Sequence, residues 1–206
     1  MNTDLLDLSP VIPVVVVDDA DHAVPLAEAL LRGGVGVIEL TLRTPAALAA
    51  IERIAAEVPQ IVIGAGTITA PEHAEQAAKA GAAFLVTPGS TDRVLNAAED
   101  TGLPLLPGAA TVSEAMRLAE RGLTALKFFP AEAAGGSDYL KSIGGPLPHL
   151  RFCPTGGITP ESAPRYLALP NVGCVGGSWL APKDALAAGD WGRVEALARA
   201  ATELRN

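Results

Sequence analysis

The sequence contains few of the side chains that bind metals or nucleic acids. Its three histidines, His22, His73 and His149, are scattered and lack the paired spacing of metal ligands, so we predict no metal site. Lysine and arginine number 15 against 23 aspartates and glutamates, which gives a formal net charge of −8. No basic stretch offsets this charge, which argues against a nucleic-acid partner or an anionic membrane surface. Any phosphate ligand must therefore be bound by local groups.

Long apolar runs are also absent, and there are only two cysteines. No run approaches the roughly 18 apolar residues of a membrane span, and no basic region precedes an apolar segment near residue 1. We therefore expect a cytoplasmic protein with no membrane partner. Cys153 and Cys174 lie in apolar or glycine-rich contexts, which favours two small buried hydrophobes in a reducing compartment over a disulfide or a nucleophile.

What the chain does contain is a repeated alternation of strand-like and helix-like segments. Its 206 residues, 49% of them hydrophobic, suit one domain, residues 1–206, with a sizeable core. We predict eight strands, at residues 11–17, 35–42, 61–65, 83–87, 103–106, 124–129, 150–153 and 172–175. We predict helices at residues 19–32, 45–57, 71–80, 92–100, 112–121, 160–169 and 190–204, and one within 138–143.

Eight strands that alternate with helices are typical of parallel βα units, which close into a single-domain (β/α)8 TIM barrel. A doubly wound open sheet is the alternative. Its usual dinucleotide fingerprint, G-x-G-x-x-G, is absent after Val17. The α/β barrel is therefore the predicted fold, and it places functional groups at the carboxyl ends of the strands.

The sixth predicted strand carries a lysine within an apolar run, TALKFFP. An ammonium near apolar groups loses hydration, which disfavours its charged form and leaves a neutral amine that can attack a carbonyl. This is the chemistry of a lysine that forms a Schiff base. The alternative is that Lys127 extends to the surface from a strand end.

The second predicted strand ends in IELTLRT, and strand alternation places Glu39 and Arg43 on one face. A carboxylate inside a barrel is costly unless it is paired or used. Its partner could be Lys127 or Arg43. A purely structural Glu–Arg pair is the alternative to a catalytic carboxylate.

Several strand exits carry glycine, proline or a hydroxyl residue. The third ends in GAGT, with Thr67, and the fourth in TPG, with Pro88, although simple strand termination also explains such exits. The seventh ends in CPTGGI, with Thr155, and the eighth in GGSW, with Ser178. Loops at these last two positions of a barrel commonly bind phosphate through backbone N–H groups, so we predict a phosphate site there.

The motifs IELTLRT, GAGT, TPG, ALKFFPAE, RFCPTGGI and GGSW resemble, in order and spacing, the bacterial 2-keto-3-deoxy-6-phosphogluconate (KDPG) aldolases. These are class I aldolases of the Entner–Doudoroff pathway that often also cleave 4-hydroxy-2-oxoglutarate. The resemblance implies that Lys127 forms the Schiff base and that Glu39 is the general acid/base. It also implies substrate binding by Arg43, Thr67, Pro88, Phe129 and Thr155, and phosphate binding by Gly156, Gly157, Gly177 and Ser178.

The resemblance further implies a homotrimer with no cofactor, since the protonated imine itself stabilises the carbanion. Phosphogalactonate aldolases of related fold share the lysine and the glutamate. Two other classes remain as alternatives: a sugar-phosphate epimerase or isomerase, which needs no imine, and a non-catalytic sugar-phosphate binding protein.

Overall fold

A computed structural model describes residues 5–205 of the chain. These residues form nine β-strands and nine α-helices, with short 3-10 turns at Leu5–Asp7, Ala20–His22 and Glu203–Arg205. The strands are β1 (Val11–Val15), β2 (Val37–Thr41), β3 (Val62–Gly66), β4 (Phe84–Val86), β5 (Leu105–Leu106), β6 (Gly108–Ala109), β7 (Ala125–Phe128), β8 (Arg151–Pro154) and β9 (Val175–Gly177). The helices are α1 (Ala23–Arg32), α2 (Ala47–Glu57), α3 (Pro71–Lys79), α4 (Asp92–Asp100), α5 (Val112–Glu120), α6 (Gly136–Ile143), α7 (Ala163–Leu167), α8 (Lys183–Ala188) and α9 (Trp191–Thr202).

The strands form a closed parallel barrel. One run of paired strands has the order β5-β4-β3-β2-β1-β9, and a second has the order β6-β7-β8. The runs meet where Pro107 alone separates β5 from β6, and where bridges join Phe152 to Val172 and Thr155 to Gly176. The predicted (β/α)8 barrel is therefore confirmed, with its fifth strand broken in two at Pro107.

Local sequence signals explain where helices begin and end. Helix α5 begins at a capping box, in which the Thr111 hydroxyl accepts from the Glu114 N–H and the Glu114 carboxylate accepts from the Thr111 N–H. The Ala110 N–H also donates to the Glu114 carboxylate. This bond, followed by the bonds with Thr111, lowers the pKa of Glu114. Helix α8 ends at Gly189 in a left-handed conformation with φ 63°.

Toward the end of the chain, the structure differs from the prediction in two places. The eighth strand was expected at 172–175 but spans Val175–Gly177, because β1 pairs with it from Val11 to Pro13 and holds the two glycines extended. Pairing with a neighbour overrides the weak strand propensity of glycine. Helix α8 was not predicted at all.

The core lies inside the barrel and between the barrel and its helices. The buried apolar side chains form one contiguous cluster. All five residues of β2 are buried, so this strand presents no face to solvent. Among residues 5–205, no helix combines the length and apolar character needed to cross a membrane. Because all the strands are parallel, their carboxyl ends converge on one rim of the barrel.

Candidate active site

A lysine and a glutamate meet inside the barrel near this rim. The Lys127 Nζ on β7 lies 3.2 Å from Oε1 and 3.4 Å from Oε2 of Glu39 on β2. The two residues are 5% and 2% exposed. Burying both charges is costly, and a lone member of the pair would be an uncompensated buried charge. The sequence left two possible partners for Glu39, Lys127 and Arg43, and in the structure its partner is Lys127.

The space for the Glu39 carboxylate comes from β3. Glu39 pairs in register with Gly64, and Thr41 pairs with Gly66. An added Cβ at Gly66 would overlap the Glu39 carboxyl group, and one at Gly64 would overlap the ring of Phe84. The absence of a side chain at Gly66 therefore gives the Glu39 carboxylate room to reach across to Lys127, and the absence of one at Gly64 gives room to the Phe84 ring.

The surroundings of Lys127 are both apolar and polar. Its Nζ lies 5.6 Å from the centroid of the Phe129 ring, within the range of a cation–π contact. In the β7–β8 register Lys127 is opposite Cys153. Thr155, just after β8, is buried, and its hydroxyl donates to the Cys153 carbonyl over 3.4 Å. The amine therefore contacts a carboxylate and lies near an aromatic ring.

Cys153 and Cys174 are buried free thiols, in agreement with the sequence interpretation. A hydrogen bond with Cys153, together with burial, raises the pKa of the Cys174 thiol. A thiol held protonated is a poor nucleophile. The two cysteines therefore belong to the packed interior of the barrel.

Arg43 and Thr67 are brought together at the rim above β2 and β3. The Arg43 Nε donates to the Thr67 hydroxyl over 3.3 Å, and the Arg43 side chain is exposed. Thr67 has φ 63°, a left-handed conformation that is unfavourable for a β-branched residue. Such strain persists where the surrounding structure fixes it, and it is concentrated at binding sites.

Pro88 and Phe129 are half-buried at the exits of β4 and β7, with the broken fifth strand between them. An added Cβ at Gly108 would overlap the Pro88 backbone, and Gly108 pairs in register with Lys127. Pro88 is thus one strand away from the lysine. The Phe129 ring lies against Gly156, where an added Cβ would be 3.2 Å from it.

The predicted phosphate residues lie just after β8, at Gly156 and Gly157, and at the end of β9, at Gly177 and Ser178, and a bridge between Thr155 and Gly176 joins the two segments. Gly156 and Gly157 have φ values of 104° and 80°, which glycine alone adopts readily. Gly157 and Ser178 are exposed, whereas Gly177 is buried beneath the ring of Trp179. Two adjacent loops of this kind present backbone to solvent at the same rim as Lys127.

One charged cluster near these loops was missed by sequence reasoning. The Glu132 carboxylate accepts from the Tyr166 hydroxyl at 2.7 Å and from Arg165 Nη2 at 2.5 and 2.7 Å. These bonds lower the pKa of Glu132, while burial and Glu132 raise the pKa of Tyr166 to about 12. Glu132 lies in the motif ALKFFPAE, five residues after the lysine, so the motif was the available signal.

Within residues 5–205, no group of three or more histidine, cysteine, aspartate or glutamate side chains is arranged to hold a metal ion.

Comparison with known proteins gives the same family across almost the whole chain. Residues 3–197 match the family model described as KDPG and KHG aldolase, where KHG is 4-hydroxy-2-oxoglutarate. The KHG/KDPG aldolase of Escherichia coli (strain K12) is 52% identical over 199 residues, which are 97% of this chain and 93% of that protein.

Solved structures agree in fold. The KDPG aldolase of Legionella pneumophila, with pyruvate captured at low pH as a covalent carbinolamine intermediate, has a TM-score of 0.94 and 45% identity over 96% of each chain. The 2-keto-3-deoxy-6-phosphogluconate aldolase of Zymomonas mobilis ZM4, with 3-phosphoglycerate, has a TM-score of 0.90 and 46% identity, and the match covers 97% of this chain and 93% of that one.

Proposed function

Since this chain belongs to the KDPG and KHG aldolase family, we propose that it is a class I aldolase in which Lys127 is the Schiff-base lysine. It cleaves KDPG to pyruvate and glyceraldehyde 3-phosphate, and KHG to pyruvate and glyoxylate. The observation that carries this proposal is the buried contact between Lys127 and Glu39 at the carboxyl ends of the barrel strands. A lysine that must become a neutral nucleophile needs a nearby group to accept its proton.

The reaction starts at the C2 ketone of the substrate. Glu39, 3.2 Å from the Nζ, accepts the proton that Lys127 loses, and the neutral amine attacks C2 to give a carbinolamine. The C2 hydroxyl then takes the proton held by Glu39 and leaves as water, which produces a protonated imine and returns Glu39 to its carboxylate form. The imine nitrogen then serves as the electron sink for the bond that breaks.

Cleavage requires a proton to leave the C4 hydroxyl. The Glu39 carboxylate removes this proton through a water molecule, and the electrons of the C3–C4 bond move to C3 and form an enamine. The C4 fragment leaves as the aldehyde. Glu39 then returns a proton to C3, and hydrolysis of the imine releases pyruvate and regenerates Lys127.

The substrate carboxylate binds to Arg43 and Thr67. A planar guanidinium can hold a carboxylate through two parallel hydrogen bonds, which a lysine cannot do equally well. The contact between Arg43 and Thr67 supports this assignment because it fixes the guanidinium beside the Thr67 hydroxyl, which is a second hydrogen-bond donor for the carboxylate. Pro88 and Phe129 form the apolar walls around the pyruvyl half.

The phosphate binds at the other side of the rim, to Gly156, Gly157, Gly177 and Ser178. Thr155, which bridges to Gly176 below the two loops, lies between this site and the pyruvyl half. Binding energy from the phosphate orients the reacting carbons over Lys127 and Glu39. KHG has no phosphate, so its cleavage depends on the pyruvyl half alone.

The assembly and the compartment are part of the same proposal. We infer a homotrimer, which the resemblance of the motifs to a typically trimeric family supports, and a cytoplasmic location. Sedimentation equilibrium of the purified protein measures the assembly directly.

The experiment that tests the chemistry is reduction with borohydride in the presence of pyruvate, followed by intact mass and peptide mapping. We expect one reduced pyruvate per chain, on Lys127. In Lys127→Met we expect no adduct and a loss of turnover of at least about 10⁴-fold, because the covalent step is removed.

A control separates loss of chemistry from loss of fold. Lys127→Met leaves Glu39 buried without its partner, at a cost of about 3–5 kcal/mol in the free energy of unfolding. The double variant Lys127→Met/Glu39→Gln removes both charges and should recover part of that stability without recovering activity. Folded, unmodified protein that gives no adduct contradicts the aldolase proposal and favours an epimerase or isomerase, whereas turnover of the galactonate epimer alone favours a phosphogalactonate aldolase.

A further inference from the structure

The segment that follows β7 is bound to the first phosphate-binding loop along its backbone. The Ala131 N–H donates to the Thr155 carbonyl over 2.8 Å, and the Glu132 N–H donates to the Gly156 carbonyl over 3.1 Å. This segment begins two residues after Lys127. The position of the loop is therefore coupled to the strand that carries the lysine.

The Glu132 side chain continues this connection to the helix behind the loop. Its carboxylate accepts from Tyr166 and from Arg165, which both lie on α7. Tyr166 is fully buried, and Arg165 lies over its ring at 5.4 Å. Hydrogen bonds to an ionised carboxylate are stronger than neutral ones, so three donated bonds fix the orientation of this side chain.

The apolar part of the Glu132 side chain contacts the loop itself. An added Cβ at Gly157 would lie 2.9 Å from both Cβ and Cγ of Glu132. On the same segment, the Phe129 ring lies against Gly156, where an added Cβ would be 3.2 Å from it. Both glycines therefore contact the segment after β7, one at an aromatic ring and the other at the aliphatic stem of Glu132, and the carboxylate beyond that stem is anchored to α7.

We propose that Glu132 is a positioning residue, which holds the loop of Gly156 and Gly157 at a fixed distance from Lys127. This inference rests on the proposed function, because it assigns the loop to the substrate phosphate. A phosphate and a ketone on one substrate can bind together only if their two sites keep a fixed spacing. Glu132 sets that spacing through the backbone bond to Gly156, the contact with Gly157 and the bonds to α7.

Substitution of Glu132 should separate phosphorylated from unphosphorylated substrates. In Glu132→Ala, which loses stem and carboxylate, we expect KM for KDPG to rise about tenfold, while kcat/KM for KHG and pyruvate trapping on Lys127 stay unchanged. Glu132→Gln keeps the aliphatic stem but loses the charge, so we expect KM for KDPG to rise about threefold. Tyr166→Phe removes one hydrogen-bond donor to Glu132 and should also raise KM for KDPG.

A second glutamate provides the matched control. Glu99 on α4 also accepts from an arginine, Arg121, at 2.7 Å, but Arg121 is the residue that follows α5, and this bond involves none of the proposed site residues. Glu99→Ala should leave both substrates unaffected. Thermal unfolding of each variant checks that the protein stays folded.

Two results would overturn the positioning role: an equal fall in kcat/KM for KDPG and KHG in Glu132→Ala, or a KM for KDPG within about twofold of the unmodified value. Either result leaves the aldolase proposal intact, since that proposal depends on the pyruvate adduct of the unmodified protein. Conversely, an unmodified protein without an adduct refutes the function before any Glu132 variant is measured.

Discussion

The proposed pyruvyl and phosphate halves of the site are built from different groups. In the proposed pyruvyl half, Lys127 and Glu39 are ionisable side chains that are almost completely buried. In the proposed phosphate half, Gly157 and Ser178 are exposed, and three of the four proposed binding residues are glycines, which offer only backbone groups. In this proposal one half depends on two specific side chains and the other mainly on backbone.

The difference follows from what each half has to do. Proton transfer and imine formation need ionisable groups whose hydration has been removed, and only burial removes it. A phosphate already carries its charge and needs only donors of fixed direction, which backbone N–H groups supply. In the proposed site, burial is therefore concentrated at the reacting groups, and the phosphate binds at the exposed rim.

The largest effect that tests this comparison is expected for Glu39→Gln. The amide keeps the shape of the side chain but cannot move a proton, so we expect kcat to fall by about 10²- to 10⁴-fold. Both KDPG and KHG should be affected by the same factor, because both reactions use the same proton transfers. Pyruvate release can be followed with lactate dehydrogenase.

Selectivity of the Glu39→Gln effect would contradict this interpretation. If KDPG cleavage falls while KHG cleavage does not, Glu39 would serve the phosphate half and the two halves would not be separate. Pyruvate trapping on Lys127 in the same variant shows whether the lysine remains accessible.

A smaller effect, confined to one substrate, is expected for Ser178→Ala. Loss of one hydroxyl donor to a phosphate should lower kcat/KM for KDPG about tenfold and leave KHG unchanged. Ser142→Ala is the matched control, because the Ser142 hydroxyl donates to the Asp138 carbonyl within α6. An unchanged ratio of the two substrates in Ser178→Ala would show that the phosphate assignment is wrong.

The smallest effect concerns stability and not activity. The pKa of Tyr166 is raised from 10.0 to about 12 by burial and by Glu132. The unfolded chain therefore loses the Tyr166 proton at lower pH than the folded protein does. The contribution of this proton to the free energy of unfolding is complete below pH 10 and is lost as pH rises toward 12. Urea unfolding between about pH 8 and 11 should show a smaller decline in Tyr166→Phe than in the unmodified protein.

Stability that declines equally with pH in the two proteins would contradict the burial of the Tyr166 proton. That result would also weaken the link between Glu132 and α7, since the same hydrogen bond accounts for both.

The barrel could be predicted from sequence because it depends on periodic patterns, and the same patterns reduced the possible partners of Glu39 to Lys127 and Arg43. Alternation in β2 placed Glu39 on the inner face, and the convergence of strand ends then brought it near Lys127, on a strand that is not its neighbour in the sheet. The resemblance of the motifs gave the remaining site residues. Their individual roles stay predictions until variants are measured.

Features that depend on contacts between distant parts of the chain, or that contradict local propensity, could not be predicted from these patterns. Pairing with β1 moved the eighth strand onto Gly176 and Gly177, and the break at Pro107 divided the fifth strand. The left-handed conformation of Thr67 has no local signal, because threonine disfavours it. The contacts of Glu132 with α7 join residues more than 30 positions apart, and no pattern within ALKFFPAE shows them.

The absence of a side chain at Gly66 limits which amino-acid substitutions this enzyme can accept. A methyl group there would occupy the place of the Glu39 carboxyl group, which is the free end of a flexible side chain and would move aside. The fold would tolerate the change, but the base would be displaced from the lysine. Position 66 is therefore closed to every other amino acid for as long as the glutamate is needed, so mutational libraries for new aldol acceptors should leave it fixed and diversify the rim.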